Sequence, residues 1–194
     1  GIKAQGLECL PWNDNSRELQ ARVNFLHQQL DGDWPDFSDA ALLETLDEWL
    51  LPYLDNMSRL THLNKLNLHS ILLSCLPWEQ QRQLDALAPT HLDVPSGSRI
   101  RLDYTHSPPV LAVRLQEMFG LTDTPRIAKG KVAVLLHLLS PARRPVQITQ
   151  DLAGFWQSSY HDVKKDLKGR YPKHHWPDNP LEAQATARAK RRGE

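Results

Sequence analysis

The sequence has few of the features that mark specialised classes of protein. Its two cysteines, Cys9 and Cys75, form no C-x-x-C pair, which excludes a disulfide framework and favours a reducing, cytoplasmic location. No apolar run approaches the roughly 18 residues that a membrane span needs, and no secretory signal is present. These absences predict no membrane partner. Because the chain begins with Gly1 and shows no helix cap or hydrophobic period there, we expect it to be a piece of a longer protein.

Net charge is also absent, since 23 Lys and Arg balance 23 Asp and Glu. The charges are unevenly distributed along the chain. Residues 1–89 hold 6 Lys and Arg against 13 Asp and Glu (net −7), and residues 90–194 hold 17 against 10 (net +7). Such a split favours two parts with different roles and an anionic partner for the basic part. Mutual attraction between the two halves is the alternative.

Residues 1–89 are predicted to form a helical part, because their apolar residues recur at helical spacing. The first helix carries a stripe of Leu19, Val23, Leu26 and Leu30. Four helices are predicted: at 16–30, from the N-cap Ser38 to about 50, at 68–76 and at 78–87.

At residue 90 the apolar spacing changes to alternation, which is typical of strands. Five short strands are predicted, at 92–94, 100–104, 110–115, 131–139 and 146–148. The fourth is nearly all apolar, so we expect it to be buried on both faces. Short strands between turn residues predict a small, mainly antiparallel sheet or barrel. The expected fold class is therefore α+β.

A final helix is predicted at 151–168, with Gly169 as its C-terminal stop. Its narrow apolar stripe would pack on the sheet and leave Lys165 and Lys168 facing solvent, with Lys164 at the margin. Residues 181–194 have no apolar periodicity and are expected to form a basic, disordered tail. The predicted organisation is a helical part at 1–89, a sheet part at 90–180 and this tail.

The basic and aromatic residues near the final helix are the strongest functional signal. Lys and Arg can neutralise phosphates, and Tyr, His and Trp rings can stack on unpaired bases. The candidate nucleic-acid-binding residues are Arg99, Arg101, Lys164, Lys165, Lys168, Arg170, Tyr171, Lys173, His174 and Trp176. The alternative is structural: Tyr171 and Trp176 would clamp the C-terminal segment onto the domain, and Arg99 and Arg101 would form only the solvent side of their strand.

Catalytic and metal-binding signals are absent from the sequence. Lys129-Gly130-Lys131 resembles a phosphate loop only superficially, because position 125 is Pro and position 132 is Val where a Gly and a Ser or Thr are required. His174 and His175 are adjacent, and neighbouring residues of an extended segment point to opposite sides. We therefore predict no catalytic residue, metal ligand or cofactor site in this chain.

A series of motifs resembles the C-terminal region of the bacterial HrpB family of DExH-box ATP-dependent helicases. The motifs lie at 76–79 (LPWE), 88–89 (AP), 94–98 (VPSGS), 109–117 (PVLAVRLQE), 119–120 (FG), 151–156 (DLAGFW), 159–160 (SY), 169–174 (GRYPKH) and 176–177 (WP). Residues 16–75 also resemble the helical segment that precedes them in the family.

The resemblance implies a parent protein with two RecA-like motor domains followed by accessory domains, which uses ATP and Mg²⁺ and acts on RNA. None of the motor motifs lies in these residues, so the resemblance transfers no catalytic residue. We predict an accessory region that contacts RNA or regulates the motor, with the motor and accessory domains of the same protein as partners. The alternative is a protein-interaction module that docks a partner of the helicase.

Overall fold

The computed structural model describes residues 1–54 and 60–189. The chain divides into two compact units, Gly1–Ala88 and Pro89–Glu194, which we call unit 1 and unit 2. Within the described residues, no helix is long and apolar enough to cross a membrane.

Unit 1 is helical. Its α-helices are α1 (Ile2–Gln5), α2 (Asp14–Gln29), α3 (Asp39–Glu44), α4 (Leu46–Trp49), α5 (Leu68–Ser74) and α6 (Trp78–Leu87). Short 3-10 helices lie at Leu7–Cys9, Leu51–Tyr53 and Leu60–Lys65.

Helix α2 organises unit 1. Asn13 and Ser16 cap it reciprocally: the Ser16 backbone N–H donates to Asn13 Oδ1 at 2.8 Å, and the Asn13 N–H donates to Ser16 Oγ at 2.9 Å, which satisfies two N–H groups at the helix start. The predicted stripe of Leu19, Val23 and Leu26 is fully buried. The amphipathic reading of this helix is therefore confirmed.

The prediction of one continuous second helix is wrong, because the segment forms two short helices. Ser38 caps it as expected, accepting a hydrogen bond from the Ala41 N–H at 3.2 Å. Thr45 then leaves the helical region (φ −101°, ψ 16°), which separates α3 from α4. The Thr45 hydroxyl donates to the Ala41 carbonyl at 2.8 Å, an interaction that often bends helices.

Unit 2 is built on a five-stranded sheet, and the prediction of a small, mainly antiparallel sheet is confirmed. The strands are β1 (His91–Asp93), β2 (Arg99–Asp103), β3 (Val110–Arg114), β6 (Leu135–Leu139) and β7 (Pro145–Thr149), in the order β1-β2-β3-β6-β7. Only β3 and β6 pair in parallel among the described strands, with Val110 opposite Leu135 and Arg114 opposite Leu139. A separate hairpin pairs β4 (Arg126–Ile127) with β5 (Val132–Ala133).

The predicted strand at 131–139 is wrong in its continuity and its burial. The chain changes sheets at Val134, whose N–H donates to the Pro125 carbonyl at 3.0 Å. Only residues 135–139 join the main sheet, and there burial alternates between half-buried and buried positions. One face of β6 is therefore buried more deeply than the other. A continuous run of apolar residues does not show this difference between the two faces.

The predicted final helix is interrupted. Helix α7 (Leu152–Gln157) ends at Ser158 (φ −121°, ψ −84°), whose hydroxyl donates to the Gly154 carbonyl at 2.7 Å, and α8 (Tyr160–Arg170) begins two residues later. Gly169 lies inside α8, so its assignment as the C-terminal stop is wrong. The apolar stripe holds across the break, with Leu152, Trp156, Tyr160 and Leu167 all buried.

Candidate nucleic-acid interface

Helix α8 presents its lysines outward, as its apolar stripe requires. Lys165 and Lys168 are exposed, and Lys173 is exposed just beyond the helix end. No carboxylate lies within ion-pair distance of these three amines in the described part of the chain. We call Lys165, Lys168 and Lys173 the α8 basic surface.

Lys164 and Arg170 differ from these three because each has a carboxylate partner. The Lys164 side chain is 16% exposed, and its ammonium hydrogen-bonds Asp178, which lowers the pKa of that carboxyl below its usual range. Arg170 Nε lies 3.5 Å from Asp166 Oδ1, one helical turn earlier. Lys164 therefore holds the C-terminal segment, whereas Arg170 keeps an exposed guanidinium that can also reach a phosphate.

The three candidate stacking rings are placed unequally. Trp176 is 7% exposed, and its indole Nε1–H donates to the Tyr171 carbonyl at 3.0 Å. His174 lies between the other two rings, with centroids 6.4 Å from Tyr171 and 6.1 Å from Trp176. The buried Trp176 offers no free ring face to a base, an arrangement that fits the clamp alternative; Tyr171 and His174 are half-buried.

Burial and charge together favour the neutral form of His174. Burial lowers the pKa of its imidazole below the usual 6.5, and the neighbouring Arg114 guanidinium lowers it further. The His174 Nδ1 atom is buried with no hydrogen-bond partner in the structure. A neutral imidazole adds no positive charge to a phosphate-binding surface.

Arg99 and Arg101 lie in a different part of unit 2. Both are exposed on strand β2, where Arg99 Nε lies 3.6 Å from Asp93 Oδ1. Strand β2 stands three positions from β7 in the sheet, a separation of about 14 Å at ordinary strand spacing. Since α8 lies against the start of β7, the structure does not join Arg99 and Arg101 to the α8 basic surface.

Two arginines that the sequence analysis did not select lie close to α8. Arg143 and Arg144 are exposed in the turn between β6 and β7, which is closed by hydrogen bonds from Arg143 N to Ser140 O and from Ser140 N to Arg144 O, each 2.8 Å. This turn and α8 flank a groove of about 510 Å³ that Arg144, Arg170 and Tyr171 all line. In the sequence, this groove is indicated only by the two adjacent arginines between two apolar runs.

A buried polar network was also missed by sequence reasoning. Glu117 is 2% exposed; its Oε1 accepts from Ser96 Oγ at 3.0 Å and Ser98 Oγ at 2.6 Å, and its Oε2 lies 3.3 Å from Arg114 Nε. These residues belong to two of the motifs quoted above. The network ties the turn before β2 to the segment after β3, which is a structural role.

The described residues contain no group of three or more His, Cys, Asp or Glu side chains that could hold a metal ion. The segment Lys129-Gly130-Lys131 forms the turn between β4 and β5, and the Gly130 carbonyl accepts a hydrogen bond from Arg126 Nε at 2.6 Å. A phosphate loop joins a strand to a helix. Residues 129–131 therefore do not form a phosphate loop.

Unit 1 contributes one unusual surface residue, Trp78, which is 72% exposed. It stands at the start of α6, beside a groove of about 380 Å³ that Leu73 of α5 and Leu84 of α6 also line. Tryptophan is enriched among the residues that contribute most to binding at protein interfaces.

Comparisons with known proteins agree with this fold. The ATP-dependent helicase C-terminal family, HrpB_C, matches residues 49–180. ATP-dependent RNA helicase HrpB from Escherichia coli (strain K12) is 45% identical over 193 residues, which make up 98% of this chain and 24% of that protein.

Two solved structures match as well. The crystal structure of the E. coli DExH-box NTPase HrpB matches 97% of this chain and 24% of its own, with 45% identity and a TM-score of 0.89. That of the Escherichia coli DEAH/RHA helicase HrpB matches 91% and 22%, with 44% identity and a TM-score of 0.74. This chain spans about a quarter of the length of these relatives. The resemblance inferred from the motifs is confirmed, and the chain belongs to the ATP-dependent helicase C-terminal family of HrpB proteins.

Proposed function

We propose that this chain is the accessory region of a DExH-box RNA helicase and contacts RNA through the α8 basic surface. The supporting observation is that Lys165, Lys168 and Lys173 are exposed and form no ion pair at contact distance among the described residues, although Lys168 is near enough to Asp178 to help lower its pKa. Unpaired ammonium groups on one side of a domain attract phosphates and release counterions on binding. ATP hydrolysis belongs, in this proposal, to the motor domains of the parent protein.

Three lysine–phosphate contacts have a measurable consequence. The logarithm of the affinity for a single strand falls with the logarithm of salt concentration at a slope of about −0.7 per neutralised phosphate. The α8 basic surface should therefore contribute about 2 to the slope. Trp176 takes no part in this contact because its ring is buried.

The test measures binding of a fluorescent single-stranded RNA to the 194-residue chain across a salt series. The variant Lys165→Ala/Lys168→Ala/Lys173→Ala is expected to lose about tenfold in affinity at low salt and most of the slope. The control Lys3→Ala/Lys65→Ala/Arg82→Ala removes the same formal charge from unit 1 and should bind nearly as the wild type. No RNA binding at low salt, or equal binding by the triple variant, would overturn the proposal.

A second candidate function is docking onto the motor region of the same helicase, and Trp78 supports it. An exposed tryptophan beside a groove suits burial against another protein surface. The net charge of −7 over residues 1–89 favours a basic partner surface. This chain spans about a quarter of the length of its relatives. We therefore propose that the partner surface lies on the motor region, in the rest of the parent protein.

The docking proposal can be tested by mixing the 194-residue chain with the separately expressed motor region after nuclease treatment, which removes RNA bridges. Trp78→Ser is expected to weaken binding at least about tenfold, as for an interface anchor. Ile148→Ser, at a similarly exposed apolar residue of unit 2, is the matched control. Unchanged affinity of the Trp78 variant would contradict docking through this groove.

A further inference from the structure

The groove between the β6–β7 turn and α8 brings together chemistry from two distant parts of the sequence. One wall is the turn and the start of β7, with Ser140, Arg144 and Val146; the other is α8, with Asp162, Asp166 and Arg170. Tyr171 also lines the groove, just beyond the helix end. The volume of about 510 Å³ lies within the range of small-ligand sites, about 300–1,000 Å³.

The charges of the lining restrict the ligand. Arg144 and Arg170 can each donate several hydrogen bonds to a phosphate. Asp162 and Asp166 would repel a bare phosphate, but they accept hydrogen bonds from hydroxyl and amino groups. Val146 and Leu167 add apolar surface beside the Tyr171 ring. A ligand that presents phosphate, hydroxyl and a flat ring together satisfies all three parts of the lining.

The turn supports this reading independently. Arg143 adopts a left-handed backbone conformation (φ 63°) in which glycine or asparagine would be less strained. No ion pair holds Arg143 or Arg144 in the described part of the chain. Arg144 therefore lines the groove with a guanidinium that has no ion-pair partner, and Arg143 precedes it in the same exposed turn.

We propose that this groove binds one nucleotide of a single-stranded RNA. Arg144 holds the phosphate with Arg143 beside it in the turn, Tyr171 packs against the base, and Asp162 accepts a hydrogen bond from the ribose 2′-hydroxyl. The inference rests on the proposed RNA contact of α8 and adds to it a specific subsite, whose mixed charge discriminates RNA from DNA where the lysines alone do not.

The first experiment compares two double variants in binding to an RNA of about 12 nucleotides and to the DNA of the same sequence. Arg143→Ala/Arg144→Ala is expected to lose about tenfold in RNA affinity and to lower the salt slope by about 0.7, because the subsite holds one phosphate. Lys129→Ala/Lys131→Ala removes the same charge from the exposed β4–β5 turn of the same unit and should stay within about threefold of the wild type. Equal losses in the two variants would mean diffuse electrostatics and would overturn the subsite.

The second variant tests the carboxylate. Asp162→Asn removes the negative charge and weakens the hydrogen bond to the ribose. The proposal expects a lower ratio of RNA to DNA affinity, whereas a carboxylate that only repels phosphate would give tighter binding of both strands at an unchanged ratio. The latter result would contradict the assigned role of Asp162 and with it the nucleotide subsite.

A crosslinking measurement on the unmodified chain keeps the test independent of variant folding. RNA carrying 4-thiouridine should crosslink to peptides within 140–146 or 162–171. Crosslinks confined to other peptides would overturn the groove proposal. If the lysine variant of α8 loses binding and the arginine variant does not, the proposed function stands and the subsite fails; if no RNA binds, both fail.

Discussion

The phenolic hydroxyl of Tyr160 donates a hydrogen bond of 2.6 Å to the carbonyl oxygen of Pro177. Tyr160 is fully buried at the start of α8, and its ring contacts those of Phe119, Phe155 and Trp156 in edge-to-face geometry. Burial, with a smaller effect of Asp178, raises the pKa of the phenol above its usual value of 10. The hydroxyl thus remains a donor and holds the C-terminal segment against the core.

Tyr160→Phe should destabilise the chain by about 1–2 kcal/mol, because it keeps the ring and leaves the Pro177 carbonyl without its donor. Urea denaturation followed by circular dichroism measures the change. Tyr53→Phe is the matched control, since Tyr53 is exposed and its hydroxyl lies 3.2 Å from the exposed Ser74 hydroxyl. Equal effects of the two variants would show that the Pro177 contact contributes nothing.

Arg22→Ala should destabilise unit 1 by about 1–3 kcal/mol. The buried Arg22 side chain donates from Nε to the Ala88 carbonyl and from a terminal nitrogen to Asp85 Oδ1, each at 2.7 Å. Asp85 is largely exposed, so the cost comes mainly from the carbonyl left unpaired. Arg82→Ala, at an exposed arginine paired with Glu79, should change the unfolding free energy by less than about 0.5 kcal/mol.

Glu117→Gln should destabilise unit 2 by about 1–3 kcal/mol. The buried Glu117 carboxylate accepts hydrogen bonds from two serine hydroxyls and forms an ion pair with Arg114. A double-mutant cycle with Ser98→Ala measures the coupling. We expect the Ser98 variant to cost much less in the Glu117→Gln background than in the wild type. Additive effects would mean that the network does not act as a unit.

Stability should fall as the pH drops below about 6.5. The folded-state pKa of His174 is lower than its unfolded value, because burial and Arg114 both disfavour the imidazolium. The stabilising difference is therefore present above the unfolded pKa and is lost as the pH falls through the folded pKa. Thermal denaturation of the wild type and His174→Gln between about pH 5 and 8 tests this. A variant with the same pH dependence as the wild type would place the effect on other histidines.

Local signals predicted much of the fold. Helix α6 runs from Trp78 to Leu87 as expected, because Pro77 precedes it and Pro89 closes the segment. The strands near 92 and 100 follow from alternation, and those near 110 and 146 were predicted as short strands between turn residues. The family motifs also identified the relatives. Each of these inferences depends on neighbours within a few positions of the sequence.

The parts that were missed depend on contacts between distant residues. Ser158 interrupts the last helix without a proline or glycine, so no local pattern marks the break. The sequence made Trp176 a candidate for stacking on bases, but in the structure its ring is buried in the core. Arg143 and Arg144 become candidate binding residues only because α8 packs beside their turn. The spacing of residues along the chain does not reveal this contact between 140–146 and 162–171.

The parallel pairing of β3 with β6 has a consequence for the order of folding. Between these strands lie residues 115–134, including a hairpin that pairs only with itself. The centre of the sheet therefore closes through sequence-distant contacts, whereas helices form from neighbours in the chain. In a refolding experiment with pulsed hydrogen exchange, the backbone amides of α2 in unit 1 should gain protection before those of β3 and β6, which form the centre of the sheet in unit 2.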